Sequence, residues 1–405
     1  MKARMGAPSA IPVIMYHGVG KDYPGWDWNH LVIPLDVFEG QMCILKEKGW
    51  KTITLDELYA HMATGARVPE KAIVLTFDDG YRDNYVYAFP ILRKYGHHGV
   101  VWMSTDFVDP RSDLPPTLED AWAGRAELAS LDARGYLSWA EMRRMVESGV
   151  IEIQSHAKTH TWYFSGPKIS DFHRPEGVDG YRMPIWLAWN MFPVEKCRSM
   201  HERFGERIPY GTPIYEHGKS FAVRRYFEDL ELTRRLVTFV AENDGATFFA
   251  RPGWREKLDA VARNHGDRAD RIETDEEFRS RVRSELVGSR REIEAALGAK
   301  VHFLCWPGGA HSDSVVAMAE EAGYLATTTL LGDPVKKNIF GEDPRIINRI
   351  GSGSPWMWRG AFIKHTSPEF FIATLDLFAG KPFSMWKYRC YKLRYALRYC
   401  VAGKA

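Results

Sequence analysis

Residues 72–80 read AIVLTFDDG, and this stretch decides the fold. Its first six residues form an apolar run of strand length. Similar runs recur as PVIMY (12–16), GVVWM (99–103), VIEIQ (150–154), VHFLCW (301–306) and LATTT (325–329). Helical patterns lie between them, so the chain reads as α/β with a largely parallel sheet. Asp78 and Asp79 then stand side by side at a strand's carboxyl edge, which is unfavourable unless positive charge lies beside them. Gly80 lets the chain turn sharply behind them. In α/β barrels that edge is where active sites are built. The stretch alone also fits a plain Asp-Asp-Gly turn in which one Asp caps the next helix.

The helical patterns carry their own signals. PLDVFEGQMCILKEKGW places Phe38, Met42 and Leu45 at spacings of four and three and stops at Gly49. SWAEMRRMVESG opens on Ser138 with Glu141 three residues later, the capping-box pattern. From about 161 to 274 the rhythm breaks into aromatic, Arg- and Pro-rich sequence with few clean strands and a helix near DLELTRRLVTFVAEND. This segment reads as an insertion over one end of the core. A long amphipathic helix from Thr274 onward leads back to VHFLCWPGG. The expected organisation is therefore a barrel from 1–160 and 275–355, an insertion at 161–274, and a basic, aromatic helical extension at 356–405.

Composition narrows the function classes. At 45% hydrophobic and 26% charged, the 405 residues are those of a soluble globular protein. A formal net charge of +2 gives no bulk attraction for nucleic acid, and no nucleic-acid-binding motif or repeat is present. The five cysteines, Cys43, Cys197, Cys305, Cys390 and Cys400, form no C-x-x-C pair and read as free thiols of a reducing compartment. The apolar run near the N-terminus is too short for a secretory signal, and no stretch reaches membrane-span length. The expected address is the cytoplasm, with the inner face of the cytoplasmic membrane as an extension of it.

His156 and His160 follow the strand in IEIQSHAKTH, four residues apart, a common metal-ligand arrangement that is weak by itself. Two His and one carboxylate leave coordination positions open, as in a catalytic site. One Asp of the pair would bind the metal while its neighbour stays ionised as the base that deprotonates an activated water. Oxyanion donors and a proton for the leaving group must come from elsewhere. WPGG (306–309) offers the first through backbone N–H groups, although it also reads as a plain Pro-Gly turn. His17, ending IPVIMYH, offers the second if its strand lies in the same barrel.

TFDDG, the H-x-x-x-H some 80 residues on and the W-P-x-G turn together resemble the polysaccharide deacetylases of carbohydrate esterase family 4, the NodB homology domain. The resemblance covers about 11–166 and 275–349. It implies a distorted (β/α) barrel that removes acetyl groups with one divalent metal, zinc first, with cobalt, nickel, iron or manganese as alternatives. It implies Asp78 as general base, Asp79, His156 and His160 as metal ligands, and Gly308 as an oxyanion donor. No late L-x-H is present, and His365 stands in FIKHTSPEF without a matching strand. The order instead resembles the circularly permuted poly-N-acetylglucosamine deacetylase branch, which implies His17 as the acid and Arg349 as the residue orienting Asp78. Three positions depart from the family: Ala157 stands for Ser or Thr, Gly308 for an aromatic, and Leu304-Cys305-Trp306 lacks an arginine.

The expected function is removal of an N-acetyl group from an N-acetyl-hexosamine in a glycan, glycan precursor or glycolipid. The alternatives are a deacylase of a small non-carbohydrate amide and a non-catalytic, membrane-associated glycan-binding protein. In the insertion, Trp186, Trp189, Tyr210, Tyr215 and Arg224 fit either a substrate wall or the lobe's own core. On the last helix, Trp386, Cys390, Leu393, Leu397 and Cys400 form an apolar stripe beside Lys387, Arg394 and Arg398. That pattern over Trp386 to Tyr399 fits a helix on an anionic membrane, or one docked on the protein with a solvated basic face.

Overall fold

The computed structural model describes residues 10–177, 184–201, 204–329 and 337–402, with side chains through Tyr399. Eight parallel segments follow one another around the sheet: β1 (Val13–Tyr16), β2 (Ala72–Phe77), β3 (Gly99–Met103), β4 (Ile151–Ser155), β7 (Phe303–Leu304), β8 (Ala326–Thr329), β9 (Ile346–Asn348) and β10 (Ile350–Gly351). The numbers β5 and β6 belong to a hairpin outside this ring, Trp162–Phe172 with Pro213–Lys219. In space the order is β9-β8-β7-β4-β3-β2-β1-β10. Its two ends, β9 and β10, are separated in sequence by Arg349 alone. Residues 346–348 pair with β8 and residues 350–351 pair with β1, so a single strand closes the ring. The fold is a distorted (β/α) barrel.

Helices cover the outside. They include α1 (Leu35–Glu47), α3 (Phe89–Tyr95), α4 (Trp139–Glu147), α5 (Asp275–Leu297) and α6 (Asp313–Glu321). The expected box at Ser138 forms, with Glu141 N–H donating to Ser138 Oγ at 3.2 Å. Phe38, Met42 and Leu45 of α1, Ile91 and Leu92 of α3, and Val282, Leu286 and Ile293 of α5 pack on outward strand residues such as Ile14, Leu75 and Ile153. Each such fully buried side chain contributes about 1.5–3 kcal/mol. Inside the barrel lie Val13, Val74, Val100, Trp102, Phe303, Ala326 and Ile347. Leu55, Leu58 and Met62 of α2 (Leu55–Thr64) join that inner cluster and fill the end away from the strands' carboxyl edges.

Glu152 sits at this filled end, where its carboxylate accepts the Leu55 N–H at 3.1 Å. Burial pushes the carboxyl up to about 7, with the like charges of Asp56 and Glu57 adding to the shift. The folded pKa thus exceeds the unfolded one, about 4.3. Below that lower value both states are protonated and the group is neutral to stability. Between the two the folded state binds more protons, so stability falls as pH rises, and the full cost is present above about pH 7. Glu152→Gln is expected to raise stability by about 1–3 kcal/mol at pH 8 and by nothing measurable at pH 4.5. Urea midpoints that move equally at both pH values would contradict this.

Two sequence expectations about strands need correction. The apolar run 301–306 yields only a two-residue strand: the Cys305 N–H still bonds the Ser155 carbonyl at 2.9 Å, but Trp306 turns its N–H to the Thr328 hydroxyl and joins the wall of a cavity. The segment expected to have few strands contains the eleven-residue β5, paired antiparallel with β6. Register shifts between Phe164 and Asp171, around Gly166 and Pro167, break the alternation that would have revealed it. Within the helical extension expected at 356–405, Phe371 and Leu375 of α7 (Pro368–Phe378) are buried in the same cluster as Phe38. Cys43, Cys197, Cys305 and Cys390 are all unpaired, and the side chain of Cys400 lies outside the described residues.

Candidate active site

Strand alternation aims one set of side chains at one place. Val13 faces the barrel interior, so Met15 and His17 follow it on that side. Val74 leads by the same step to Asp78, Phe303 to Cys305, Ala326 to Thr328 and Ile347 to Arg349. On β4, Ile151 and Ile153 face outward, which sends His156 inward. At the carboxyl edges His17, Asp78, His156, Thr328 and Arg349 line one cavity of about 540 Å³.

Asp79, His156 and His160 converge on one point. Asp79 Oδ1 lies 3.3 Å from His156 Nε2 and 3.1 Å from His160 Nε2. His156 Nδ1 lies 2.8 Å from the Cys305 carbonyl oxygen, which can only accept, so Nδ1 carries the proton and Nε2 presents its lone pair. Burial would raise the Asp79 carboxyl, but the histidines outweigh it and hold it well below the ordinary range. Two imidazole nitrogens and one carboxylate oxygen, all within 4.8 Å of one another, fit a single divalent cation. The backbone is strained here, with positive φ at the non-glycine residues Asp79 (72°), Ala157 (57°) and His160 (41°). Such conformations cost roughly 1–3 kcal/mol each and persist only where surroundings enforce them.

The enforcing contacts come from α5, from Lys196 and from three aromatic rings. Glu285 accepts the N–H groups of Lys158 and Thr159 at 3.1 and 2.9 Å, and Thr159 Oγ1 also donates to it. Ser289 meets Ser155 Oγ at 2.9 Å, and that oxygen accepts the Ala157 N–H. Lys196 Nζ bonds the Thr159 carbonyl at 2.8 Å and Asp106 at 3.1 Å. Trp28, Phe107 and Trp189 pack around the His160 ring. Glu285 escaped sequence reading, yet the signal existed. It is a carboxylate beside the buried stripe Val282, Leu286, Ser289 and Ile293.

Asp78 has a different neighbourhood. Arg349 Nη1 donates to its Oδ1 at 2.6 Å, His17 Nε2 lies 3.9 Å from Oδ2, and Cys305 Sγ lies 3.7 Å from Oδ2. Burial alone would raise this carboxyl; Arg349, His17 and His156 reverse that and hold it below the ordinary range. Asp78 is therefore an ionised acceptor beside the metal-type cluster. His365 stands elsewhere, exposed and 3.9 Å from Asp36.

The remaining wall includes Trp28, Trp162, Trp186 and Ile214 with His30, His217 and Lys219. Of the five insertion residues singled out in the sequence, Trp186 lines the cavity. Trp189 packs edge-on against Trp28 of the wall, and Tyr215 is buried in the outer cluster. Tyr210 stacks on His173, and Arg224 bonds the Glu273 carbonyl, both away from the cavity. Gly308 has φ +58°, and Lys219 Nζ donates to its carbonyl. A Cβ added at Gly308 would lie 2.8 Å from Lys219 Cε, so the lysine fills the space of any side chain there. His217 and Lys219, two residues apart on β6, went unseen because the strand itself did.

The sequence model described as polysaccharide deacetylase matches residues 65–174 and 232–327, just over half of the chain. The chain belongs to the polysaccharide deacetylase family. The chain is 29% identical over 182 residues to the poly-β-1,6-N-acetyl-D-glucosamine N-deacetylase of Escherichia coli, covering 45% of this chain and 24% of that protein. It is 29% identical over 153 residues to YxkH of Bacillus subtilis, assigned to the same family by its name, covering 38% and 44%. The matches thus span less than half the length of either relative. Among solved structures, a de-N-acetylase from Aggregatibacter actinomycetemcomitans shares the fold, with a TM-score of 0.50, 17% identity and coverage of 84% and 94%. The family match takes in Asp78, Asp79, His156, His160 and Gly308 but neither His17 nor Arg349. Those two join the site through the strand that opens the barrel and the strand that closes it.

Proposed function

We propose that this deacetylase is a divalent-metal-dependent hydrolase that removes the N-acetyl group from an N-acetyl-hexosamine unit of a glycan, glycan precursor or glycolipid. One observation carries the reading. A two-His, one-carboxylate cluster, with Asp79 and His156 buried and His160 partly so, stands beside a second buried carboxylate, Asp78, that Arg349 engages. Asp79, His156 and His160 would hold the cation, which when bound acidifies water and polarises an acyl oxygen. Asp78 Oδ2 takes a proton as water adds to the amide carbon. His17 Nε2 delivers a proton to the amine nitrogen as the C–N bond breaks, and acetate leaves. Lys219 and the Gly308 turn flank the acyl group. The segment 161–274 supplies the Trp162, Trp186 and His217 side of the wall, apolar faces suited to a sugar ring.

The test is acetate release from N-acetylglucosamine oligomers by protein stripped with a chelator and reloaded with zinc, cobalt, nickel, iron or manganese. Release is expected only from reloaded protein. Turnover of small N-acetyl amides but no hexosamine would move the substrate outside carbohydrates, and no turnover of either would leave a glycan-binding protein.

A further inference from the structure

The last helix is turned the opposite way from a helix that hides its apolar face. Helix α8 (Ser384–Ala402) docks through Tyr388, Tyr391 and Tyr395, whose rings lie 5.4, 5.9 and 5.5 Å from Phe370. Tyr395 and Ala396 are buried in this contact, and Tyr395 Oη accepts the Ser367 N–H. The apolar stripe of the sequence faces away. Trp386 is 68% exposed, Leu393 60% and Leu397 58%, with Phe383 just before the helix at 81%. Side chains of this size on one helix face normally mark a contact surface.

Charge states what that surface meets. Lys387, Arg389, Lys392, Arg394 and Arg398 lie on α8, and no Asp or Glu occurs from Ser384 to Ala402. By helical spacing Arg389 falls on one side of the stripe and Lys387, Arg394 and Arg398 on the other. Apolar residues between basic flanks fit an anionic lipid headgroup layer, the tryptophan and leucines entering the acyl boundary while the cations stay with the phosphates. No described helix is long and apolar enough to cross a membrane, so the geometry is that of a helix lying on the surface.

The helix is also joined to the rim of the active-site cavity. Lys392 Nζ stands 5.1 Å over the Trp356 ring of the hairpin β11 (Trp356–Trp358) and β12 (Ala361–Ile363). On the same hairpin Met357 pairs with Phe362, and both are exposed. Phe362 stacks on His30 of the cavity wall, centroids 4.8 Å apart and planes at 21°.

We propose that α8 and the 356–363 hairpin dock this deacetylase on an anionic membrane surface with the mouth of its cavity beside the lipid. Docking is independent of the deacetylation reading and is measured without turnover. The full-length protein would be sedimented with vesicles of phosphatidylcholine alone or mixed with phosphatidylglycerol. Binding is expected to be at least tenfold tighter on the mixed vesicles and to weaken as salt rises. Trp386→Glu/Leu393→Glu/Leu397→Glu, on the exposed stripe, is expected to lower that binding at least tenfold with an unchanged Tm. Equal binding by this variant, or no binding of the parent protein to either vesicle, would overturn the proposal. A concentration-dependent dimer lost in the variant, without vesicle binding, would assign the stripe to a second copy and overturn it as well.

Discussion

Asp78→Asn is expected to lower acetate release about 10²–10⁴-fold, the usual loss for a removed general base. Asparagine keeps the shape of the side chain and an oxygen to accept the Arg349 guanidinium, which now lies 2.6 Å from Asp78 Oδ1. It cannot take a proton from water. Metal content is expected to stay at the parent value, because Asp79, rather than Asp78, lies against His156 Nε2 and His160 Nε2 at 3.3 and 3.1 Å. Metal analysis beside the rate assay separates the two roles. A variant that loses its metal, or keeps activity within tenfold of the parent, would exchange the duties of the adjacent aspartates.

Why two neighbouring aspartates diverge follows from the end of β2. Asp78 continues the inward alternation of Val74 and Thr76 and reaches the seam of the barrel. Asp79, with φ 72°, breaks the alternation and swings toward the His156–His160 loop. Gly80 follows at φ 70°, where a Cβ would collide with Met103 Sδ. The strand, the paired acids and the glycine were all legible in AIVLTFDDG, because each is a local consequence of residue type.

His17 was legible through its place at the end of an early apolar strand and through the resemblance to the circularly permuted branch, and its meaning depended on that strand being the neighbour of β2. The register Tyr16↔Phe77 supplies that neighbour. Residues whose work depends on distant packing left weaker traces. Lys219 and His217 lie on the short strand paired with the bulged β5, and Glu285 reads as an ordinary helical glutamate until α5 is laid against the histidine loop. The orientation of α8 was undecidable from its sequence, since tyrosine and leucine stripes are both apolar faces. Phe370 settles which one the protein itself covers.

Arg349→Met tests the seam. The guanidinium sits at the single residue between β9 and β10, buried, with Asp78 as its ion-pair partner. Removing one partner of a buried pair leaves the other charge uncompensated, at a cost of about 3–5 kcal/mol. Urea unfolding of Arg349→Met is expected to fall by that amount, with acetate release reduced about a hundredfold as Asp78 loses the contact that orients and ionises it. Asp78→Asn/Arg349→Met carries neither charge, and methionine can occupy the space of the arginine stem. The double variant is therefore expected to be more stable than Arg349→Met alone, with a coupling of about 1–3 kcal/mol across the cycle. Additive costs would show that Arg349 acts through packing at the barrel closure. Coupling in stability together with equal inactivity of Asp78→Asn and the double variant would show that Arg349 serves the reaction only by way of Asp78.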